Sequence, residues 1–173
     1  MCTVMVYTGQ DMPEEVFERA LAKTASRGPD MQRVVRAGGG LVGFQRLAIM
    51  GLDEKGMQPF FMDGSCVVCN GEIYGFRALK RELEKKYDFA SDSDCELLLP
   101  LYKEYGVGMF ERLDAEFAAV IYDAERDAFV AARDPIGIRP LFYGWSESGH
   151  IVFASEAKNL TDIADEVRAF PPG

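Results

Sequence analysis

Two apolar segments that turn back on themselves constrain the fold most strongly. One is QPFFMDGSCVVCN (58–70), with Asp63-Gly64 at its middle, and the other is AEFAAVIYDAERDAFVAARD (115–134). Asp-Gly between two apolar runs is typical of a tight β-hairpin, because such turns need residues that tolerate a left-handed backbone. The chain is therefore expected to contain antiparallel sheet.

Further strand patterns and three amphipathic segments extend this prediction. VVRAGGGLVGFQRLAIMG (34–51) reads as strand segments broken by three glycines, and PLFYGWSESGHIVFAS (140–155) reads as another hairpin. Three segments have helical spacing of apolar residues, and Ser93 or Asp92 is placed to cap the third. These predicted helices are PEEVFERALAKTA (13–25), YGFRALKRELEKK (74–86) and SDCELLLPLYKEYG (93–106). Hairpins with helices clustered between them indicate an α+β layered domain.

Composition disfavours several classes of protein. A length of 173 residues suits one domain, and 48% apolar residues suffice for a buried core. The net charge of −9, with Lys and Arg scattered along the chain, disfavours nucleic acid as a partner. No apolar stretch approaches the roughly 18 residues of a membrane span, and the N-terminus does not resemble a signal peptide. We therefore expect no membrane association and a cytoplasmic location.

The cysteines and the single histidine do not form a metal-site pattern. Cys66 and Cys69 are a CxxC pair in the apolar run SCVVCNGEI, where a separation of three residues points the thiols to opposite faces of a strand. They would not readily share one zinc ion, so we expect no metal and interpret them, with Cys95, as reduced core cysteines. His150 lies in the turn-like SESGHIVF and is expected to be a surface residue.

Cys2 is the cysteine best placed for chemistry. It opens a predicted strand in which Val4 and Val6 alternate with their neighbours, and a strand cysteine is most often a small core hydrophobe. If Met1 is removed, however, Cys2 carries both a thiol and an α-amine, whose pKa of about 7.7 to 8.0 suits a base at neutral pH. An N-terminal cysteine can then be nucleophile and base together.

Three other features are candidates for a site. Asn70-Gly71-Glu72 closes an apolar strand, where a side-chain amide and a glycine N–H can converge on an oxyanion, although alone it would be an ordinary turn. Arg46 is one charge in an apolar strand, which is usually a surface residue or half of an ion pair. Asp94 would ordinarily be a carboxylate at a helix N-terminus. Each feature alone leaves both interpretations open.

Eight segments, in one order, resemble a known family. They are MC (1–2), SRGPD (26–30), QRLAI (45–49), GMQPF (56–60), NGEIY (70–74), SDSDCE (91–96), ARDPIGIRPLFYG (132–144) and FASEAKNL (153–160). Their order is similar to that of class II glutamine amidotransferase domains, which have an N-terminal nucleophile. The RGPD and FASExK forms look most like the glutaminase domain of glutamine-hydrolysing asparagine synthetases. The resemblance covers almost the whole chain.

The resemblance implies a covalent route for glutamine hydrolysis. Cys2 would attack the side-chain amide carbon of glutamine, with its own α-amine relaying the proton. Ammonia would leave, and water would hydrolyse the γ-glutamyl thioester that remains. Asn70 and the Gly71 N–H would hold the oxyanion.

The resemblance also implies how the substrate is held and how the chain folds. Arg46 would pair with the α-carboxylate of glutamine, which suits a planar two-pronged donor. Glu72 and Asp94 would bind the α-ammonium. One cation and two carboxylates are the complement of a zwitterionic amino acid. The implied fold is the four-layer αββα sandwich of N-terminal nucleophile hydrolases, with two mainly antiparallel sheets between helical layers.

Three positions depart from the family's usual pattern. Thr3 stands where glycine commonly follows the nucleophile, Phe44 where histidine commonly precedes the strand arginine by two residues, and Gly75 where asparagine often follows NGEIY. A side chain at position 3 and the loss of polar groups nearby could alter the placement of the thiol and the glutamine loop.

The domain, cofactor and partner expectations follow from the same resemblance. Residues 1–173 are interpreted as a single glutaminase domain that needs no cofactor, because the sequence contains no GxxxxGK[ST] loop and no Ser-Gly-Gly-rich pyrophosphatase loop. ATP and magnesium would belong to a synthetase domain outside this chain. The expected partners are L-glutamine, that synthetase domain in cis or in trans, and a second copy in a homodimer. Two alternatives are a different class II amidotransferase and a non-catalytic relative that binds an amino acid.

Overall fold

The computed structural model describes residues 1–49 and 53–173, so the end of the predicted strand segment 34–51 lies outside the described residues. Within these ranges the strands are β1 (Thr3–Tyr7), β2 (Met31–Ala37), β3 (Gly40–Arg46), β4 (Phe60–Met62), β5 (Ser65–Ile73), β6 (Ala115–Asp123), β7 (Ala128–Arg133), β8 (Phe142–Trp145), β9 (Ile151–Ala154) and β10 (Val167–Ala169). The α-helices are α1 (Glu14–Ala22), α2 (Phe76–Leu83) and α3 (Leu98–Tyr105), and short 3₁₀ helices include Asp94–Leu97.

The strands form two antiparallel sheets. One has the order β10-β8-β9-β1-β3-β2 and the other the order β4-β5-β6-β7. All the strand pairs in the described residues run antiparallel. The prediction of a hairpin-rich α+β domain is confirmed.

Three apolar layers hold the sheets and helices together. Between the sheets lie side chains from β1, β3, β5 and β6, with Val4, Phe44, Val68 and Val120 among them. The outer face of the six-stranded sheet packs against α1, and the outer face of the four-stranded sheet packs against α2, α3 and the 3₁₀ helix before α3. Helices thus cover both outer sheet faces, which confirms the four-layer αββα sandwich.

Local backbone requirements explain two features of the sheets. The β4–β5 hairpin turns at Asp63 (φ 50°) and Gly64 (φ 83°), both in the left-handed region, as the Asp-Gly motif predicted. At Gly43 on β3, an added Cβ would lie 2.7 Å from the Phe17 ring and 2.9 Å from Leu21. The missing side chain therefore lets α1 approach the sheet closely.

The helices differ from the prediction in their ends. α1 and α2 end at Ala22 and Leu83, several residues before the predicted limits. Ser93 occupies the N-cap position of the 3₁₀ helix Asp94–Leu97, but no side-chain cap hydrogen bond forms there. The predicted capping role of Ser93 or Asp92 is therefore wrong, because Asp92 instead pairs with Lys80 and the chain enters α3 through the 3₁₀ turn.

The structure also tests the expectations for cysteine and histidine. Cys66 packs between the sheets, whereas Cys69 packs on the outer face of β5, so the predicted opposite orientation of the CxxC thiols is confirmed. All four cysteines are free. His150 lies in the turn between β8 and β9 with its side chain 44% exposed, as expected of a surface residue. In residues 1–49 and 53–173, no helix has the length and apolar character needed to cross a membrane.

Candidate active site

The candidate active site lies where the apolar layer between the two sheets ends. On the faces that the sheets turn toward each other, strand residues change from apolar to polar in the same direction. These residues are Val6, Val4 and Cys2 on or just before β1; Val42, Phe44 and Arg46 on β3; Val68, Asn70 and Glu72 on β5; and Val120, Ala118 and Glu116 on β6. Because side chains alternate along a strand, every second residue continues the same face. Four strands therefore present polar groups at one end of the sandwich.

A cleft of about 140 Å³ opens at this end. All six residues predicted from the sequence line it, namely Cys2, Arg46, Asn70, Gly71, Glu72 and Asp94. The six-stranded sheet contributes the first two, and the four-stranded sheet with the adjacent 3₁₀ helix contributes the others. Residues far apart in sequence are thus brought together as the prediction required.

The Cys2 thiol is half-buried and is held by the backbone after β3. Leu47 N–H donates to the Cys2 Sγ at 3.4 Å, and the Leu47 carbonyl oxygen lies 3.7 Å from the same sulfur. Burial raises the pKa of the Cys2 thiol above its ordinary value, although the Leu47 N–H, the N-terminal charge and Arg46 act in the opposite direction. The thiol is therefore mostly protonated at neutral pH and needs a base before it can attack.

Met1 and Arg27 fix the backbone at the N-terminus. The Met1 ammonium donates to the Arg27 carbonyl at 3.3 Å, and Met1 lines the cleft. Arg27 Nε and Nη2 both donate to the Cys2 carbonyl, at 3.4 and 3.2 Å, while its Nη1 donates to Glu156 at 3.0 Å. The resemblance contained both charged residues, in SRGPD and FASEAKNL, but gave them no role. The structure shows that they hold the peptide of the candidate nucleophile.

Asn70, Gly71 and Glu72 are within the last four residues of β5, which ends at Ile73, so the tripeptide lies near the end of a strand, as predicted. The Asn70 Nδ2 atom is buried and has no hydrogen-bond acceptor among the described residues. A Cβ at Gly71 would lie 2.5 Å from the Glu116 carbonyl oxygen on β6, so the backbone of β6 requires glycine there. An unpaired buried N–H costs about 1–3 kcal/mol. Asn70 therefore points to a ligand that accepts its hydrogen bond.

Arg46 and Asp94 are both buried in the cleft wall. Arg46 is 3% exposed, and its Nη1 donates to the Asp53 carbonyl at 2.6 Å. The Asp94 carboxylate accepts a hydrogen bond from the Ile73 N–H at 2.7 Å, which ties the 3₁₀ helix to the edge of β5. Asp94 stands at the start of that helix, as expected of an ordinary N-terminal carboxylate, and it also lines the cleft. The two buried groups bring opposite charges to one small volume.

Glu72 lies at the exposed rim of the cleft, opposite Glu116 in the β5–β6 register. Glu116 forms an ion pair with Arg139, which also lines the cleft and whose buried Nε has no hydrogen-bond partner among residues 1–49 and 53–173. The sequence prediction missed Arg139, although it lies in the quoted segment ARDPIGIRPLFYG. A second guanidinium thus lines the cleft, paired with Glu116.

Two of the unusual residues can now be placed. Thr3 is fully buried, and strand alternation turns its side chain with Met5 toward the outer face of the sheet, away from Cys2. Phe44 is 1% exposed and lines the base of the cleft. Position 3 therefore adds no side chain to the cleft, whereas position 44 gives it an apolar floor.

Three thiols line the cleft, and they differ in their exposure to solvent. Cys69 and Cys95 are 1% and 3% exposed, whereas Cys2 is half-buried. The hydrogen bond with Cys69, together with burial, raises the pKa of Cys95 well above its ordinary value. Cys2 is therefore the most accessible of the three.

A comparison with known protein families decides the assignment. Residues 1–169 match the glutamine amidotransferase domain family. The chain belongs to this family. The resemblance found in the sequence is thereby confirmed.

Individual relatives agree with the assignment. The chain is 40% identical to the probable glutamine-hydrolyzing asparagine synthetase of Dictyostelium discoideum, over 100% of the chain and 32% of that protein. It is 37% identical to asparagine synthetase B of Escherichia coli K12, over 85% of the chain and 27% of that protein. The chain thus spans about a third or less of the length of these relatives.

Two solved structures share the fold. The glutamine phosphoribosylpyrophosphate amidotransferase from B. subtilis, complexed with ADP and GMP, superposes with a TM-score of 0.81 at 20% identity, over 100% of this chain and 46% of that one. A glutamine aminotransferase class-II domain protein from Silicibacter pomeroyi gives a TM-score of 0.59 at 16% identity, over 99% and 92% of the two chains. The predicted fold of N-terminal nucleophile amidotransferases is confirmed.

Proposed function

We propose that the chain, once Met1 has been removed, hydrolyses L-glutamine to glutamate and ammonia. The observation that carries this proposal is the side-chain N–H of Asn70, which has no acceptor among residues 1–49 and 53–173, in a cleft that also holds the half-buried thiol of Cys2. A nucleophile beside an unused buried donor is the arrangement that acyl transfer needs. The family assignment supports the same chemistry.

The proposed reaction has two covalent steps. The Cys2 sulfur forms a bond to the side-chain carbonyl carbon of glutamine, while the thiol proton passes to the α-amine of the same residue. Asn70 Nδ2 and the Gly71 N–H donate to the oxyanion, and the C–N bond then breaks as the nitrogen takes up the proton and leaves as ammonia. Water adds to the thioester and the C–S bond breaks, which gives glutamate and restores the thiol.

The α-amine is the proposed base because the described cleft residues include no histidine. The raised pKa of the Cys2 thiol means that it seldom ionises unaided at neutral pH. An α-amine with a pKa of about 7.7 to 8.0 can accept this proton. Arg27 holds the Cys2 carbonyl and would thereby orient the amine on the same residue.

Arg46, Asp94 and Glu72 would orient the amino-acid end of the substrate. Buried Arg46 supplies the positive charge for the α-carboxylate, and Asp94 and Glu72 supply negative charge for the α-ammonium. The position of Asp94 is fixed by its hydrogen bond from Ile73. Charge-assisted hydrogen bonds of this kind contribute about 1.5–3 kcal/mol each.

We further propose that the ammonia is delivered to an ATP-dependent synthetase domain, in cis or in trans, for asparagine synthesis. The names of the relatives at 37–43% identity support this acceptor. ATP and magnesium would be bound by that synthetase domain and not by residues 1–173. The expectations of a homodimer and of a cytoplasmic location stay predictions.

Glutamine turnover by the Met1-free chain tests the proposal. Equal molar amounts of glutamate and ammonia should appear, and asparagine should be hydrolysed far more slowly because its shorter side chain cannot reach Cys2 while its α-groups are held. A pure, folded, Met1-free sample that binds glutamine without releasing ammonia would instead indicate the non-catalytic relative.

Asn70→Ala should lower kcat by about a hundredfold with little change in KM, because the donor acts mainly on the transition state. We expect the melting temperature to change little, because the Nδ2 atom that the substitution removes has no acceptor among the described residues. Steady-state kinetics and thermal unfolding measure the two effects. A raised KM with normal kcat would move Asn70 from the oxyanion site to ground-state binding.

Arg46→Ala should raise KM for glutamine strongly, because loss of a charge-assisted hydrogen bond also leaves Glu72 and Asp94 unbalanced. Arg33→Ala is the matched control, since it removes the same charge from the neighbouring strand β2 at an exposed position outside the cleft. The control should keep KM within about twofold. Equal effects of the two substitutions would show that net charge, and not substrate contact, determines KM.

A further inference from the structure

Among the described residues, one edge of β5 has no strand partner beyond the short strand β4. The β4–β5 pairing covers residues 65–67 of β5, whereas β5 continues to Ile73. Peptide groups of alternate residues face the same side of a strand. The N–H groups of Cys69 and Ile73 bond side chains that lie away from β6, so the Gly71 N–H between them faces the same open edge.

Gln58 takes the place of a strand partner at this edge. Its Oε1 accepts from the Cys69 N–H at 2.6 Å, and its Nε2 donates to the Cys69 carbonyl at 3.0 Å. Gln58 is 4% exposed and lines the cleft. Its amide therefore completes both hydrogen bonds that a neighbouring strand would have made with this residue.

Two side chains hold the open edge of β5, one on either side of Gly71. Gln58 holds Cys69 on one side, and Asp94 holds the Ile73 N–H on the other at 2.7 Å. The Gly71 carbonyl lies 4.0 Å from Cys95 Sγ. Clamping Cys69 also fixes the peptide that joins it to Asn70, whose Nδ2 has no acceptor in the part of the chain that the structure describes.

We propose that Gln58 is a positioning residue for the oxyanion site. It holds β5 so that Asn70 Nδ2 and the Gly71 N–H keep a fixed spacing without a strand alongside them, which leaves the edge open to the substrate carbonyl. This inference rests on the proposed glutaminase function. Errors of about 1 Å in the placement of such donors reduce catalysis by about a hundredfold.

Gln58→Met in the Met1-free chain tests the proposal, since methionine keeps an unbranched side chain of similar length but lacks both hydrogen-bonding groups. We expect kcat for glutamine to fall at least tenfold, while KM, the inhibition constant of glutamate and the rate of Cys2 alkylation by iodoacetamide stay within about twofold. Met57→Ala is the matched control. Met57 is buried in the same segment between the sheets and does not line the cleft, so its loss should lower the melting temperature but leave kcat within about twofold.

These measurements distinguish a positioning role of Gln58 from a general disturbance of the structure. Unchanged kcat in Gln58→Met, or a parallel loss of kcat, glutamate binding and iodoacetamide reaction, would overturn the proposal. If Gln58→Met does not fold, Gln58→Glu tests the donor half of the interaction alone, because it keeps an oxygen that accepts from the Cys69 N–H and loses the N–H that bonds the Cys69 carbonyl; kcat should again fall with KM unchanged. The parent chain is assayed first, so absence of glutaminase activity in it would be a failure of the proposed function and not of this inference.

Discussion

Protein that retains Met1 is expected to be inert as a glutaminase, and removal of Met1 by an aminopeptidase is expected to restore turnover. In the longer form the Cys2 nitrogen is an amide and cannot accept the thiol proton, while Met1 itself lines the cleft. In the processed form, kcat/KM should rise with pH through about 7.7 to 8.0 and then level, because the neutral α-amine is the active base. Mass spectrometry and ammonia release measure processing and activity on the same samples.

Two further comparisons test whether the α-amine of Cys2 is the base. Iodoacetamide should label the Cys2 thiol in both forms, because the half-buried sulfur is present in each, whereas a glutamine-like electrophile should label only the processed form. The aminopeptidase-treated Cys2→Ala chain should stay inactive, which excludes a contaminating glutaminase. Equal specific activity of pure Met1-retaining and Met1-free samples would show that the α-amine is not the base.

Cys2→Ala should reduce glutamine turnover to the background of the assay and leave the fold and the melting temperature nearly unchanged. The substitution removes one half-buried sulfur atom just before the first strand, where little packing is lost. Both covalent steps of the proposed reaction require that atom. Steady-state kinetics and thermal unfolding are the measurements.

Cys66→Ala is the matched control for Cys2→Ala. Cys66 lies on β5 in the same inter-sheet layer and does not line the cleft, and burial raises its pKa to about 11. We expect this control to lose some stability and keep its activity. Comparable turnover in Cys2→Ala and the parent would leave Cys69 or Cys95 as the nucleophile.

The sequence predicted the sheets well because strand and turn signals are local. Alternating apolar residues and the Asp63-Gly64 turn lie within a few positions of each other, so no knowledge of the rest of the fold was needed. The helix ends and the Ser93 cap were predicted less well. There, the 3₁₀ turn and the hydrogen bond from Ile73 to Asp94 place the chain through contacts between distant segments.

The candidate site was predicted only in part, because some of its side chains act through contacts between distant segments. The resemblance supplied the six lining residues, but not the roles of Gln58, Arg27 or Arg139. Each of these side chains acts on a backbone or an ion partner at least ten positions away, and local spacing carries no sign of such a contact. The common change from apolar to polar residues on four strands could be recognised only once their register was known.

Because the site is divided between two sheets, the valine-rich layer between them sets the distance between the nucleophile and the oxyanion donors. Cys2 and Arg46 stand on one sheet and Asn70 and Gly71 on the other, while packed sheets lie about 10 Å apart. A substitution that moves one sheet relative to the other would change the distance from the sulfur to the oxyanion donors without touching the cleft, whereas a small cavity that leaves both sheets in place, as expected for Met57→Ala and Cys66→Ala, would not. Catalytic rate therefore depends on the alignment of the two sheets, and the packing that sets this alignment lies far from Cys2.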